Sequence, residues 1–174
     1  VAISDTHMLH EDVVLPDGDL LIHAGDCTND GTEDETRRFL KWFRAQPHRN
    51  KVLVPGNHDD YIEAHPEVAQ GDGIELLWDR GITVEGLKLY GSPFRVVPEE
   101  RMQKQSIRWS AFMITETWAE LVWREIPDGL DILITHQPCY GIADYALKQR
   151  WGSHALLAAV NRARPKVHIF GHVH

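Results

Sequence analysis

Five short stretches of this 174-residue chain carry side chains able to do metal chemistry: Asp5-Thr6-His7, Gly25-Asp26, Gly56-Asn57-His58-Asp59, His136 and Gly171-His172-Val173-His174. Two carboxylates, one amide oxygen and several imidazoles form a donor set suited to borderline divalent ions such as Mn, Fe, Co, Ni or Zn, with no thiolate required. In Asp5-Thr6-His7 alternate side chains of an extended segment lie on one side, so a carboxylate and an imidazole can grip one ion; His172-Val173-His174 repeats the device. Taken singly, each stretch has an ordinary alternative: Asp5 a helix cap, Gly25-Asp26 a turn, Asn57 a left-handed turn residue, His136 a hydrogen-bonded histidine. Together they offer about eight donors, too many for one ion but suited to two ions that share a bridging carboxylate.

Each stretch follows an apolar, strand-like run: Val1 to Ser4, Asp19 to Ala24, Lys51 to Val54, Asp131 to Thr135 and Lys166 to Phe170. Such runs alternate with helical patterns, the signature of strands joined by crossover helices, so the class is α/β. Strand ends in α/β sheets converge on one edge. Thr32-Glu33-Asp34-Glu35 reads as a capping box ahead of Phe39, Leu40, Trp42 and Phe43, in a helix that Pro47 stops. Leu156, Val160 and Ala163 form a second stripe, with Arg162 and Arg164 in its last turn and Pro165 beyond. Trp118, Leu121 and Val122 have helical spacing and read as core. Residues 74–90 read as a meander, with one pair of short strands around Gly81 and another around Gly86. From Gly91 to Thr115 the chain is aromatic, basic and poorly periodic. That predicts a long, partly ordered insertion over one face, with Phe94, Arg95 and Arg108 offering stacking and anion contacts to a site beneath.

Composition sets bounds on what this chemistry serves. A 43% hydrophobic content fills one substantial core, and the length predicts a single domain over 1–174. Eighteen Lys and Arg against twenty-six Asp and Glu give a net charge of −8, which disfavours a broad nucleic-acid-binding face. The longest uncharged apolar runs are strand-sized, short of the ~18 residues of a membrane span. Cys27 and Cys139 have neither metal-type spacing nor a disulfide framework, which fits a reducing, cytoplasmic setting. The chain opens on Val inside a strand and stops at His174, which reads as trimming at both ends, so a missing signal peptide carries no weight. His23 and His168 sit within strands and read as hydrogen-bonded core residues. His10, His48 and His65 fall in polar loops and read as solvated, and His154 reads as part of a helix start.

The motifs D-x-H, G-D, G-N-H-D, H and G-H-x-H stand complete and in order, and through them the sequence resembles the calcineurin-like metallophosphoesterases over nearly its whole length. The resemblance implies a four-layer αββα sandwich, with helices outside two mixed β-sheets. It also implies two divalent metal ions, with Mn first among Mn, Fe, Zn, Co and Ni. Asp5, His7, Asp26 and His174 would hold one ion, and Asp26, Asn57, His136 and His172 the other, with Asp26 as the bridge. His58 would be the catalytic histidine that protonates the leaving oxygen, Asp59 its carboxylate partner, and a metal-bridging hydroxide the nucleophile that attacks phosphorus in line.

Softer matches extend this picture: Thr6, His23 to Asp26, Gly91-Ser92-Pro93, Trp109 with Ala111-Phe112, and Asp131 to His136 resemble the small metallophosphoesterase-domain proteins and their bacterial relatives. Those act on phosphodiesters, including cyclic nucleotides, so the implied partner is a small phosphoester rather than a membrane. The alternatives are a phosphomonoesterase or phosphoprotein phosphatase and, from another class, a non-catalytic scaffold on the same fold, against which the intact Asn57-His58-Asp59 argues. Purple acid phosphatases place a Tyr three residues after the bridging Asp; Asn29 stands there, so a tyrosinate-bound ferric ion is not implied. His174 has no following residues to orient it, which predicts a weaker first metal than second. Oligomeric state is left open.

Overall fold

The structure, a computed structural model, describes residues 1–102 and 110–174. In chain order the strands are β1 (Ala2–Ile3), β2 (Leu20–Ala24), β3 (Asn50–Val54), β4 (Ile74–Leu76), β5 (Arg80–Val84), β6 (Leu87–Ser92), β7 (Arg95–Val96), β8 (Met113–Ile114), β9 (Ile132–Thr135), β10 (Tyr145–Ala146), β11 (Gln149–Arg150) and β12 (Val167–Ile169). The α-helices are α1 (Glu33–Ala45), α2 (Asp60–Ala64), α3 (Glu99–Met102), α4 (Glu116–Arg124) and α5 (His154–Ala163).

Four strands in the order β1-β2-β3-β4 form a parallel first sheet, and β12-β9-β6-β5 form a mixed second sheet in which only the β5–β6 pair is antiparallel. Side-chain alternation along the strands sorts the core into layers. In β2 and β3, Leu21 and Leu53 pack under Phe39, Leu40 and Phe43 of α1 and Ile62 of α2, while Ile22, Val52 and Val54 point the other way. There they meet Leu89 of β6 and Ile134 of β9 from the second sheet. Tyr90 and Leu133, one residue along, face outward under Ala119 and Trp123 of α4 and Leu156 and Ala159 of α5. The result is helix, sheet, sheet, helix: an αββα sandwich.

Local chemistry fixes the crossover helices. Thr32 accepts the Glu35 amide at 3.3 Å while the Glu35 carboxylate accepts from the Thr32 amide, so the capping box forms, and α1 stops at Ala45 ahead of Pro47. Ser153 caps α5 by accepting the Leu156 amide at 3.1 Å, and Arg164 ends it in a left-handed conformation before Pro165.

The meander expected over residues 74–90 is corrected. β4 joins the first sheet, where Ile74 and Leu76 face the α1 side, and the bend through Trp78 and Asp79 then carries the chain across to the second sheet. Gly81 lies inside β5, and the hairpin turn of this stretch is at Glu85-Gly86. The excursion from Gly91 to Thr115 is tied at both ends by parallel pairing of β7 with β8; Arg108 and Trp109 lie outside the described residues. In α4 the buried face is Ala119 and Trp123, four residues apart, and Val122 packs at its edge. Trp118 and Leu121, expected in the core, project into solvent. His10 and His48, expected to be solvated, are buried: His10 packs edge-on against Phe39, and His48 Nε2 lies 3.1 Å from the Pro16 carbonyl. His65 is exposed. Among the described residues no helix is long and apolar enough to cross a membrane.

Candidate metal centre

The C-terminal ends of β1, β2, β3, β9 and β12 open onto one edge of the sandwich, where their loops deliver Asp5 and His7, Asp26, Asn57 to Asp59, His136, and His172 to His174. The loops after β1, β2 and β12 turn sharply, and Asp5, His7, Asp26 and His172 all adopt left-handed backbone conformations (φ between 41° and 72°). Non-glycine residues pay for that conformation, and such strain collects at functional sites. Two glycines admit the close approach. A Cβ on Gly56 would run into the Asp26 carboxylate and the His136 ring, and one on Gly171 into the Asp5 carboxylate and Ser4.

Three imidazoles are oriented by carbonyls at the end of β2 and in the loop that follows it. His136 Nδ1 lies 3.0 Å from the Ala24 carbonyl, His7 Nδ1 3.2 Å from that of Thr28, and His58 Nδ1 2.7 Å from that of Asn29. As Nδ1–H donors, all three leave Nε2 to the interior. His136 Nε2 sits 3.3 Å from Asp26 Oδ2 and 3.3 Å from Asn57 Oδ1; His7 Nε2 sits 3.9 Å from the same Asp26 oxygen. Asp5, His7 and His174 converge in one group of ligand atoms, and Asp26, His136 and His172 in a second. His7, Asp26 and His58 form a third, between them. Asp26 thus faces both halves.

Burial opposes charge on Asp26, but the His136 imidazole, then the His58 amide, hold its carboxyl well below the usual carboxylate range. Burial likewise opposes charge on His136, yet the Asp26 carboxylate, with Asp5 behind it, lifts it to about 9. His172 is pushed down to about 3 by burial and then by the charge on His136. The donors are oxygens and ring nitrogens without thiolate, their inner nitrogens are aimed by carbonyls, and one carboxylate is shared. Those features fit two borderline divalent ions.

Sequence comparison places this geometry. The family model described as calcineurin-like phosphoesterase matches residues 1–174. The chain belongs to the calcineurin-like phosphoesterase family. It is 36% identical to a UPF0046 protein of Caenorhabditis elegans and 34% identical to the human metallophosphoesterase domain-containing protein 1, in each case over 100% of this chain. It spans 62% and 60% of the lengths of those two relatives. A probable glycerophosphodiester phosphodiesterase of Arcobacter nitrofigilis is 26% identical over 75% of this chain and 46% of its own length. A crystal structure sharing 15% identity superposes with a TM-score of 0.69 over 99% of this chain and 82% of its own, which shows a shared fold.

Within this calcineurin-like site one expected contact is corrected: Asp59 does not pair with the His58 ring. Its buried carboxylate instead accepts from the amides of Gly56 (2.7 Å), Thr28 (3.0 Å) and Asp26 (3.1 Å), and from the Thr28 hydroxyl (2.9 Å) and Cys27 thiol (3.1 Å). It welds the β2 loop to the β3 loop. The Asn29 carbonyl takes the place beside His58, a contact invisible in sequence because a backbone oxygen has no residue signature. Thr6, between Asp5 and His7, is anchored to His23 Nε2 at 3.0 Å in the core. Arg95, Leu147 and Trp151 also line the roughly 280 Å³ cavity over the centre, together with Asp26, His58 and His172. Phe94 does not; it packs against the second-sheet core. His154 stacks on Tyr140 at 3.8 Å, away from the cavity.

Proposed function

We propose that this domain is a dimetal phosphoester hydrolase acting on small phosphodiesters. The observation that carries the reading is the shared Asp26 carboxylate, within 3.9 Å of imidazole nitrogens on both sides, with His58 held beside it. When bound, two divalent ions supply positive charge against the phosphoryl oxygens and lower the pKa of coordinated water toward ~7.

The chain's own residues do the rest. Asp5, His7 and His174 would hold one ion, Asn57, His136 and His172 the other, and Asp26 both. Ionised Asp5 and Asp26 contribute −2 against +4 from the ions, so the net +2 attracts a phosphoester to an acidic protein. Arg95, lining the same cavity, adds a guanidinium toward the anion. His58 keeps Nδ1–H on the Asn29 carbonyl in both protonation states, so its protonated ring presents Nε2–H to the departing oxygen. The similarity to a probable glycerophosphodiester phosphodiesterase supports a diester substrate.

The test is an activity screen of the Mn²⁺-reconstituted protein on p-nitrophenyl phosphate, bis-p-nitrophenyl phosphate and 2′,3′- and 3′,5′-cyclic nucleotides. Hydrolysis of diesters ahead of the monoester is the expected result. Turnover of the monoester alone would make the domain a phosphomonoesterase, and no turnover with any divalent ion would make it a scaffold.

A further inference from the structure

A second cavity of about 420 Å³ adjoins the one over the metal centre, and Arg95 and Trp151 line both. Its volume lies in the ~300–1,000 Å³ range of small-molecule sites. Buried Val97 and half-buried Val96 give it an apolar floor; exposed Glu99, Glu100, Gln149 and Arg150 ring its mouth.

Trp151 is fixed on all its polar atoms. Its indole N–H donates to the Ala146 carbonyl at 3.0 Å, its backbone N–H to that of Asp144 at 2.8 Å, and its own carbonyl accepts from the Gln137 amide group. Gln137 in turn accepts from the Val96 amide at 2.6 Å, tying the β10–β11 hairpin to β7 across the cavity. A tryptophan whose only side-chain donor is already used offers a ligand nothing but the face and edge of its ring. Beside it, Leu147 lines the metal cavity while 86% exposed, in a turn where both Leu147 and Lys148 take left-handed conformations. An apolar side chain presented at that conformational cost suits a ligand that covers it.

Resting on the phosphoesterase reading, we infer that the second cavity receives the organic group of the ester, and that this group is an uncharged planar aromatic or heteroaromatic stacked on Trp151. Two guanidiniums, Arg95 and Arg150, line this cavity with three carboxylates, Glu99, Glu100 and Glu116, and Arg150 is already paired with Asp144 at 2.6 Å, so no surplus positive charge remains for a second phosphate. The charged mouth disfavours an acyl chain, whereas polar edge groups of a heterocycle find partners there. Trp151 is the specificity-determining residue.

Calorimetry on the Mn²⁺-loaded protein with three non-hydrolysable phosphonates tests this: methylphosphonate, benzylphosphonate and a nucleoside 5′-phosphonate. Methylphosphonate reports the metal cavity alone, so its failure to bind would strike the phosphoesterase reading rather than this one. Aromatic phosphonates should bind ~5- to 100-fold tighter than methylphosphonate, the range that stacking on an aromatic side chain supplies. A gain with benzylphosphonate alone points to aryl esters, and a further gain with the nucleoside to nucleotides. Trp151→Ala should collapse the ratio to near one while Trp151→Phe keeps most of it. Gln149→Trp, which fills the cavity from its exposed mouth, should collapse it without touching the anchored hairpin interior. A wild-type ratio near one, or a ratio that survives both Trp151→Ala and Gln149→Trp, overturns the inference.

Discussion

The two halves of the candidate metal centre differ in one donor, Asp5 in one against Asn57 in the other, and in how firmly the fold holds the donors. In the inner half, Asp26, Asn57 and His136 are buried, and His136 is clamped between the Ala24 carbonyl and Asp26. In the outer half, Asp5 and His7 are half-buried. There, Asp5 is steadied by the His172 amide at 2.9 and 3.0 Å to its two oxygens, and His7 by the Thr28 carbonyl. Where the fold holds a donor in place beforehand, an ion meets less ordering cost, so donor orientation separates the halves as well as the exchange of the Asp5 carboxylate for the Asn57 amide.

The strongest way to break the comparison is to remove the residue the halves share. Asp26→Ala should empty both sites by elemental analysis and lower turnover by at least ~10²-fold. If two equivalents of metal stay bound, the shared-carboxylate model fails.

Next come the neighbours His58 and Asp59, adjacent in sequence and opposite in role. His58→Ala should keep its metal and its stability while losing ~10²–10⁴ in turnover, less for esters with good leaving groups. Asp59→Ala should strand the buried amides of Gly56, Asp26 and Thr28, costing ~3 kcal/mol or more in urea denaturation and loosening Asp26 with it. A His58→Ala protein that strips metal, or an Asp59→Ala protein that unfolds like wild type, would reverse these assignments.

One histidine from each half sharpens the contrast itself. His136→Ala should weaken the inner ion by ~10- to 100-fold in a Mn²⁺ titration, and His7→Ala should weaken the outer ion by no more than ~10-fold. Wild-type sites of equal affinity would show that the half-buried setting of Asp5 and His7 costs nothing.

The smallest effect compares the sheets away from the metals. Burial pushes His168 in the second sheet down to about 4 and His23 in the first to about 3. In the unfolded chain both titrate near 6.5, so the unfolded state binds more protons below that pH. Their stabilisation is therefore complete above about 6.5 and lost as pH falls toward 4, by ~1.4 kcal/mol per pH unit for each. Asp79, raised by burial to about 6, acts in the opposite sense, because its contribution is present below about 4 and lost as pH rises through 6. His168→Gln should flatten the decline in urea midpoint between about pH 6.5 and 4.5 by roughly one proton's worth. An unchanged slope would mean that His168 is solvated in the native state.

Much of this was written locally in the chain. The alternation in Leu21-Ile22 and Val52-Leu53-Val54, the capping box at Thr32 and the donor set ending each strand all follow from near neighbours, because periodicity, caps and side-chain chemistry are properties of short segments. The family, too, was legible in five motifs. What only the tertiary structure decided depends on groups far apart in sequence or lacking a residue signature. The Asn29 carbonyl, not Asp59, orients His58; β4 joins the first sheet rather than a meander; His10 is buried while Trp118 is not; and Trp151, 125 positions after Asp26 (151 − 26), shares its cavity. Backbone oxygens look alike in every residue, and which of two apolar faces is covered depends on what packs against it. A sequence read one segment at a time contains neither.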